Sequence, residues 1–491
     1  MSTSRGRRIR IALASVVALA IAGAAADAAA ARTYVVLYKS GASSAGAAQA
    51  VQRAGGTLVA NYRQIGVVVA RSTSADFASS VESASGVQSA AATGAFGVGL
   101  GPSQADNGPL PGSAPATDGD TLSGLQWDMR QIHTPEAHAI TGGSPQVVVG
   151  DIDTGLDFTH PDLAPNYDAS RSTDCTSGAP APLLPGNDVN GHGTHTAGTI
   201  AAASNGSGIV GVAPNVKIAG VKTATDDGFF FPEAVVCAYV WSAEHGIDVT
   251  NNSYFADPWL YNCRNDAEQR AIWQAERRAI RYAQARGTLV IASEGNDATD
   301  LSHPTIDNVS PDDTTPVERE ITNACSVVPV EVPGVVGVTA TGNLQLKSFY
   351  SSYGISTADV AAPGGDSILQ LTAAAPNGRV LSTWPSAAPC LPARTVIDPG
   401  TGAKYCYAQG TSMAGPHAVG VAALIMSQTG KRGSAAGAAL QQATNPLPCP
   451  DTSIYDFFPQ QTSGEPQTCT GSPGHNSFYG SGEVDALKAV G

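Results

Sequence analysis

Basic residues are scarce in this chain. It carries 27 Lys and Arg against 41 Asp and Glu, a formal charge of −14 over 491 residues. That total offers no basic footprint for nucleic acid, so nucleic-acid binding is not expected. Charged residues are only 14% and aromatics 6% of the sequence, but 42% is hydrophobic, a globular composition and not a disordered one. Long apolar runs are missing beyond the amino terminus. The run at 11–26 has 16 residues, short of the roughly 20 needed to cross a bilayer. Arg5, Arg7, Arg8 and Arg10 precede it and the small-residue stretch Ala26-Asp27-Ala28-Ala29 follows, the pattern of a cleaved secretory signal. Losing residues 1–31 removes four Arg and one Asp and leaves a charge of −17. The expected product is secreted, acidic, monomeric and without membrane contact once the signal is gone.

Close cysteine pairs are also missing. None of the eight cysteines has the CxxC spacing of a structural zinc site. An even count in an exported chain points to disulfides instead; neighbour pairing suits Cys390–Cys406 and Cys449–Cys469, and eight cysteines leave the other partners open. There is no HExxH, no second DTG or DSG, and no GxSxG elbow, since Ala414 stands where the second glycine would be. Those absences remove zinc-peptidase, aspartic-peptidase and α/β-hydrolase chemistry in turn. No internal repeat is present.

Glycine (54) and proline (32) are plentiful and mark loops between periodic segments. Residues 33–90 read as strand (33–39), helix (43–55), two strands (57–72) and a second helix (74–85) opened by Ser74 as N-cap, a small α+β domain. From 97 to 123 the composition turns to Gly, Pro, Ser, Asp and Ala without periodicity, an exposed linker suited to proteolysis. Beyond Leu125, near-continuous apolar runs at 146–153, 217–223, 248–253, 288–295 and 335–342 alternate with helical stretches at 232–246 and 266–287. The charges along 266–287 suggest a solvated face. This alternation predicts an α/β fold with a mostly parallel central sheet and helices on both faces, whose ligands bind beyond the carboxyl ends of the strands.

Three segments carry chemistry. In VVVGDIDTGLDFTHPDL (147–163), Asp153 ends a buried strand, where a carboxylate can accept an imidazole N–H; an Asx turn is the plainer alternative. In GHGTHTAGTIAA (191–202), two histidines three apart are either a metal pair or one base and one packing residue. Small neighbours around His192 favour a general base. In GTSMAGPHAVGVAALIM (410–426), Ser412 stands where a glycine loop becomes an apolar helix, with its own N–H at the helix's positive end. A simple N-cap serine is the plainer reading there. Pro416 is expected in the first turn, where it is tolerated.

Taken together, in the order Asp, His, Ser, these segments resemble the three signatures of the subtilase family, subtilisin-like serine peptidases, from about Leu125 to YGSGEVDALKAV (479–490). The resemblance implies Ser412 as nucleophile, His192 as base and Asp153 as its orienting carboxylate. In LVIASEGND (289–297), Asn296 matches the family's oxyanion donor. It also implies substrate-binding roles for Ser253, Gly228 and Gly295, with Phe255 standing where the family has glycine and Glu294 where it has a small residue. Asp162 and Asn205, with the carbonyls of Ala203, Ser207 and Ile209, resemble the family's calcium site; one further ligand near the mature amino terminus has no evident counterpart. Calcium would be structural, with no cofactor needed for the chemistry. The implied organisation is signal peptide 1–31, propeptide 32–95 acting as folding assistant and intramolecular inhibitor, linker 96–123 with processing, and peptidase domain 124–491. Protein or peptide substrates are expected. Two rivals differ in chemistry: a non-catalytic binding protein on the same fold, and a sedolisin-type peptidase whose base is an acid.

Overall fold

The computed structural model describes residues 31–93 and 119–491. The expected signal peptide, save its last residue, and 94–118 of the linker region lie outside the described residues. The first part is a four-stranded antiparallel sheet in the order Gly56–Tyr62, Val67–Ser72, Arg32–Tyr38, Val87–Ala92, with helices Ala47–Arg53 and Phe77–Glu82. Sequence reading missed the last strand. VQSAAA has weak β propensity, and pairing to the edge of Arg32–Tyr38 overrides it. Ser74 is not the cap expected of it: its carbonyl accepts the Phe77 N–H at 3.2 Å, and Asp76 precedes the helix without a side-chain cap.

Alternate residues of a strand face opposite sides, and this sheet uses both. Tyr34, Val36 and Tyr38 join Val68 and Phe77 in the small unit's own core. Val35, Leu37, Val67, Val69 and Ala91 instead share a core with Ala271, Ala275 and Ala279 of the larger unit. The helix bearing those alanines, Ala267–Ala285, is capped by Asp266, which accepts from Glu268 N and Gln269 N. Its polar face is not left to solvent as expected: Arg278 donates to the Tyr38 carbonyl at 2.9 Å and to Gln88 at 3.1 Å, and Gln88 donates to Gln274. Helical periodicity identifies a polar face but not what will cover it.

The larger unit is built on a nine-stranded sheet in the order Thr444–Asn445, Glu483–Val484, Ala358–Pro363, Val336–Thr341, Leu289–Ser293, Val249–Asn252, Val148–Asp153, Lys217–Lys222, Thr173–Asp174. Every pairing is parallel except the Thr444–Asn445 edge. Val148, Ile152, Val221 and Val290 pack to one side with helix Pro232–Glu244 and Ala267–Ala285; Val149, Ile218, Val249 and Ile291 pack to the other with helices His192–Ala201 and Thr411–Thr429. Apolar residues on both faces are what continuous apolar strands require. Four disulfides, Cys175–Cys237, Cys263–Cys325, Cys390–Cys406 and Cys449–Cys469, use all eight cysteines, including both pairs expected from spacing.

Candidate active site

Asp153 is the last residue of a strand buried throughout, and the adjacent strand Val249–Asn252 runs parallel with Asn252 opposite Ile152. Both chains therefore leave the sheet side by side, at Asp153 and Ser253. His192 opens helix His192–Ala201, after Gly191 at φ +96°. A Cβ on Gly193 would run into the Gly155 carbonyl, so only glycine lets the helix start come this close to the Asp153 turn. His192 Nδ1 lies 2.7 Å from Asp153 Oδ1, which also accepts the Thr154 N–H. The Asp153 side chain is fully buried, the His192 side chain 22% exposed. A buried carboxylate on Nδ1 fixes the ring and leaves Nε2 as the nitrogen able to take a proton.

Burial opposes charge on His192, but the carboxylates of Asp153, Asp151 and Asp188 outweigh it and hold its pKa above the usual histidine value. His195 differs. It is fully buried, its Nε2 lies 3.1 Å from the Cys406 carbonyl, and burial followed by the neighbouring His192 pushes its pKa down to about 3. Of the two readings left open for the histidine pair, the base and its packing neighbour fit; a metal pair does not.

Ser412 is the second residue of helix Thr411–Thr429. Its Oγ donates to the Ser253 carbonyl at 3.3 Å, and Ser253 Oγ donates back to the Ser412 carbonyl at 3.2 Å. That return bond has a cause in the sequence. Pro416 lies inside the helix, beyond the first turn expected for it, and with no N–H it leaves the carbonyl four residues earlier, that of Ser412, without its helical partner. Ser253 takes the place. No hydrogen bond joins His192 to Ser412; both stand at the carboxyl end of the same two strands.

Asn296 follows strand Leu289–Ser293. Its Oδ1 accepts from Thr411 N at 2.9 Å and Thr411 Oγ1 at 3.1 Å. Two donors on one atom identify that atom as the oxygen, so the amide NH₂ is turned outward, next to the Ser412 turn. Beside it lies a cavity of ≈ 440 Å³ lined by Ser253, Gly295, Asn296 and Ser412 among others. Gly228 is not among its lining residues; it sits at φ +96° in a turn closed by its N–H to the Thr225 carbonyl. Phe255 forms part of the wall. Glu294 is turned back, with Oε2 accepting from Thr357 Oγ1 at 2.9 Å, and burial raises its pKa well above the carboxylate range.

Asp162 and Asn205 also come together, with Asn205 Nδ2 3.3 Å from Asp162 Oδ1. Burial raises the Asp162 pKa to about 6, and Asp120 adds to it. Asp120, which sequence reading did not single out, stands beside this pair and accepts from the Asn205 and Gly206 N–H groups. The carbonyls of Ala203, Ser207 and Ile209 accept no hydrogen bond among the described residues. Two adjacent carboxylates and uncommitted carbonyls form a hard-oxygen donor set, which suits calcium. No group of three or more His, Cys, Asp or Glu able to hold a metal occurs among the described residues.

Two contributors escaped sequence reading. Asp188 binds Thr154 Oγ1, Gly191 N, and both N and Oγ1 of Thr194, tying the Asp153 turn to the His192 helix; its place four residues before His192 was the available signal. Gln461, within the Cys449–Cys469 loop, donates its backbone N–H to the Asp297 carbonyl at 2.9 Å and its Nε2 to the Asn296 carbonyl at 3.3 Å. Nothing in the sequence links it to Asn296.

The sequence pattern of the subtilase family matches residues 144–482. The chain is 29% identical over 314 residues to the thermophilic serine proteinase of Bacillus sp. strain AK1, covering 64% of this chain and 60% of that protein. It is 29% identical over 326 residues to fervidolysin of Fervidobacterium pennivorans, covering 63% and 39%. The matches thus span less than two thirds of either relative's length. Among solved structures, the epidermin leader peptide processing serine protease of Staphylococcus aureus superposes with a TM-score of 0.67 at 22% identity, over 94% of this chain and 98% of that one, a likeness of fold.

Proposed function

The chain belongs to the subtilase family, and from that premise we propose that it is a secreted serine endopeptidase made as a self-processing precursor. The observation that carries the reading is the 2.7 Å bond from His192 to a fully buried Asp153, at the strand ends where Ser412 is tied to Ser253. In the reaction the Ser412 hydroxyl exchanges the Ser253 carbonyl for His192 Nε2 by rotation about its Cα–Cβ bond. Ser412 Oγ then adds to the carbonyl carbon as its proton passes to Nε2. The oxyanion accepts from the Asn296 amide and the Ser412 N–H, and the positive end of helix Thr411–Thr429 adds to the stabilisation. His192 protonates the departing amine. Water, deprotonated by the same nitrogen, releases the acyl group from Ser412. Asp153 stays ionised throughout and steadies the imidazolium.

Residues 32–95 are proposed to be the propeptide, held by the Val35, Leu37, Val67 and Val69 face against helix Ala267–Ala285. Cleavage is proposed between Ala91 and Leu125. Calcium, held by Asp162, Asn205, Asp120 and nearby carbonyls, would cross-link loops and take no part in the chemistry. A fluorophosphonate probe tests the core of the reading. It should label the secreted protein stoichiometrically, and Ser412→Ala should lose both label and peptidase activity, the latter by about 10⁶-fold. Labelling that survives Ser412→Ala, or a processed protein that never labels, would leave the binding-protein reading in its place.

A further inference from the structure

The cavity beside Ser412 is lined by an apolar sleeve of Leu260, Val309, Pro316 and Val327. Its volume lies within the roughly 300–1,000 Å³ range of specific ligand pockets. The lining holds three acidic residues, Glu294, Asp297 and Asp312, and no Lys, Arg or His; Glu294 is engaged by Thr357, which leaves Asp297 and Asp312 as the acids to consider. We infer that this cavity takes the cationic side chain of a lysine or arginine, at the residue whose carbonyl Ser412 attacks. The inference rests on the peptidase reading and adds a substrate class to it.

The two carboxylates are placed unusually for surface acids. Asp297 is half-buried, its backbone is held at the N–H by Ser352 Oγ and at the carbonyl by the Gln461 N–H, and among the described residues its carboxylate accepts no hydrogen bond and forms no salt bridge. Asp312 Oδ1 is buried and accepts no N–H or hydroxyl among the described residues. Behind Asp312 stands Asp257, 1% exposed, accepting the Phe230 N–H. Complete burial makes Asp257 the member of that pair that keeps a proton, which it donates to Asp312. The pair therefore presents one negative charge to the cavity, and Asp297 presents another. Burial raises the pKa of each of Asp297 and Asp312 to about 6, so both are ionised at neutral pH. Arg319 is occupied by Asp307, Gln269 and the Tyr261 carbonyl. Glu294, also among the lining residues, accepts from Thr357 Oγ1, and burial raises its pKa well above the carboxylate range.

Partly buried carboxylates without counter-charge carry a desolvation cost, and an entering ammonium or guanidinium relieves it while the lysine or arginine stem covers the apolar sleeve. A neutral apolar side chain fills the same space but leaves both charges unanswered; an acidic one adds to them. Asn296 and Ser412 line the same cavity, so the discriminating charge and the attacked carbonyl belong to one substrate residue.

The test uses mature enzyme and peptide amides identical except for the residue before the scissile bond: Lys, Arg, Leu, Met or Glu. The expected result is kcat/KM for Lys and Arg about 10²-fold above Leu and Met, the scale of a desolvated charge pair, with Glu poorest. Asp297→Asn should lower the Lys-to-Leu ratio at least about tenfold, and Asp312→Asn should lower it less. Benzamidinium should compete with substrate on the unmodified enzyme where neutral benzamide does not, a readout independent of whether either variant folds. Leu or Met cleaved as well as Lys and Arg, or benzamide matching benzamidinium, overturns the inference while leaving a fluorophosphonate-reactive peptidase intact. Absence of both labelling and cleavage overturns the peptidase reading, and this inference with it.

Discussion

The amino-terminal unit and the peptidase unit solve the same packing problem in opposite ways. In residues 32–93 one sheet face is covered by the unit's own two short helices and the other only by a neighbour; no cysteine lies in that span. The peptidase sheet is covered on both faces by its own helices and its loops are held by four disulfides. The small unit closes its sheet within about sixty residues, whereas strand Val148–Asp153 needs Val249–Asn252, about a hundred residues later. Distant parallel pairings form slowly. A preformed surface that binds Ala267–Ala285 would favour collapse of that helix onto the sheet, and a unit without cross-links on its outer face is the one able to leave afterwards.

The largest expected effect lies inside the peptidase unit. Asp153→Asn should keep the fold but offer His192 the wrong partner, lowering kcat by about 10⁴-fold. The pH profile supplies a second readout. His192 must be neutral to act, and its raised pKa places the loss of activity, as pH falls, above the ordinary histidine value. Removing the Asp153 charge should move that limb to lower pH. A profile that does not move would mean a different group sets it.

The next effect concerns the shared face. Val69→Asp puts a carboxylate where Val69 is fully buried against the peptidase unit. An unpaired buried charge costs about 3 kcal/mol or more. A peptide of residues 32–93 carrying this change should therefore inhibit the mature enzyme about 10²-fold less than the unchanged peptide, read from progress curves. Equal inhibition would show that the face seen here does not hold the inhibitor. A smaller effect returns to the disulfide loop: Gln461→Ala removes the Nε2 bond to the Asn296 carbonyl and should lower kcat about fivefold, the worth of one hydrogen bond, with KM unchanged.

The two units were also unequally legible. Apolar runs located five strands of the peptidase sheet to within about two residues, because strands covered on both faces must be apolar throughout. Strand Val87–Ala92 and the covered face of Ala267–Ala285 were hidden, since both depend on a partner surface and not on local pattern. In the proposed site, Asp153 and Asn296 stood out at strand ends, and His192 and Ser412 at glycine-flanked helix starts. Asp188 and Gln461 did not, because each acts through hydrogen bonds to segments distant in sequence or unlike any motif. The direction of Glu294 was not readable for a related reason: only the tertiary partner Thr357 shows where its carboxylate is held.

The smallest expected effect on catalysis is from removing calcium, and it separates the units most sharply. The proposed ligands Asp162 and Asn205 lie in the peptidase unit and Asp120 just before it in the linker, and none of them bonds to His192 or Ser412, so chelation should leave kcat/KM at 25 °C unchanged. Stability should respond. A cation held at about a thousand times its Kd adds about 4.1 kcal/mol, and at about 2–4 °C per kcal/mol for a large domain the melting temperature of mature enzyme should fall by roughly 8–16 °C on chelation. Asp162→Asn should abolish that difference by lowering the melting temperature with calcium present. The isolated peptide of residues 32–93, which holds none of these ligands, should melt identically with and without chelator. A mature enzyme equally indifferent would assign the raised Asp162 pKa to burial and its carboxyl neighbour alone, with Tyr405 Oη and the Ile209 N–H as its sufficient partners.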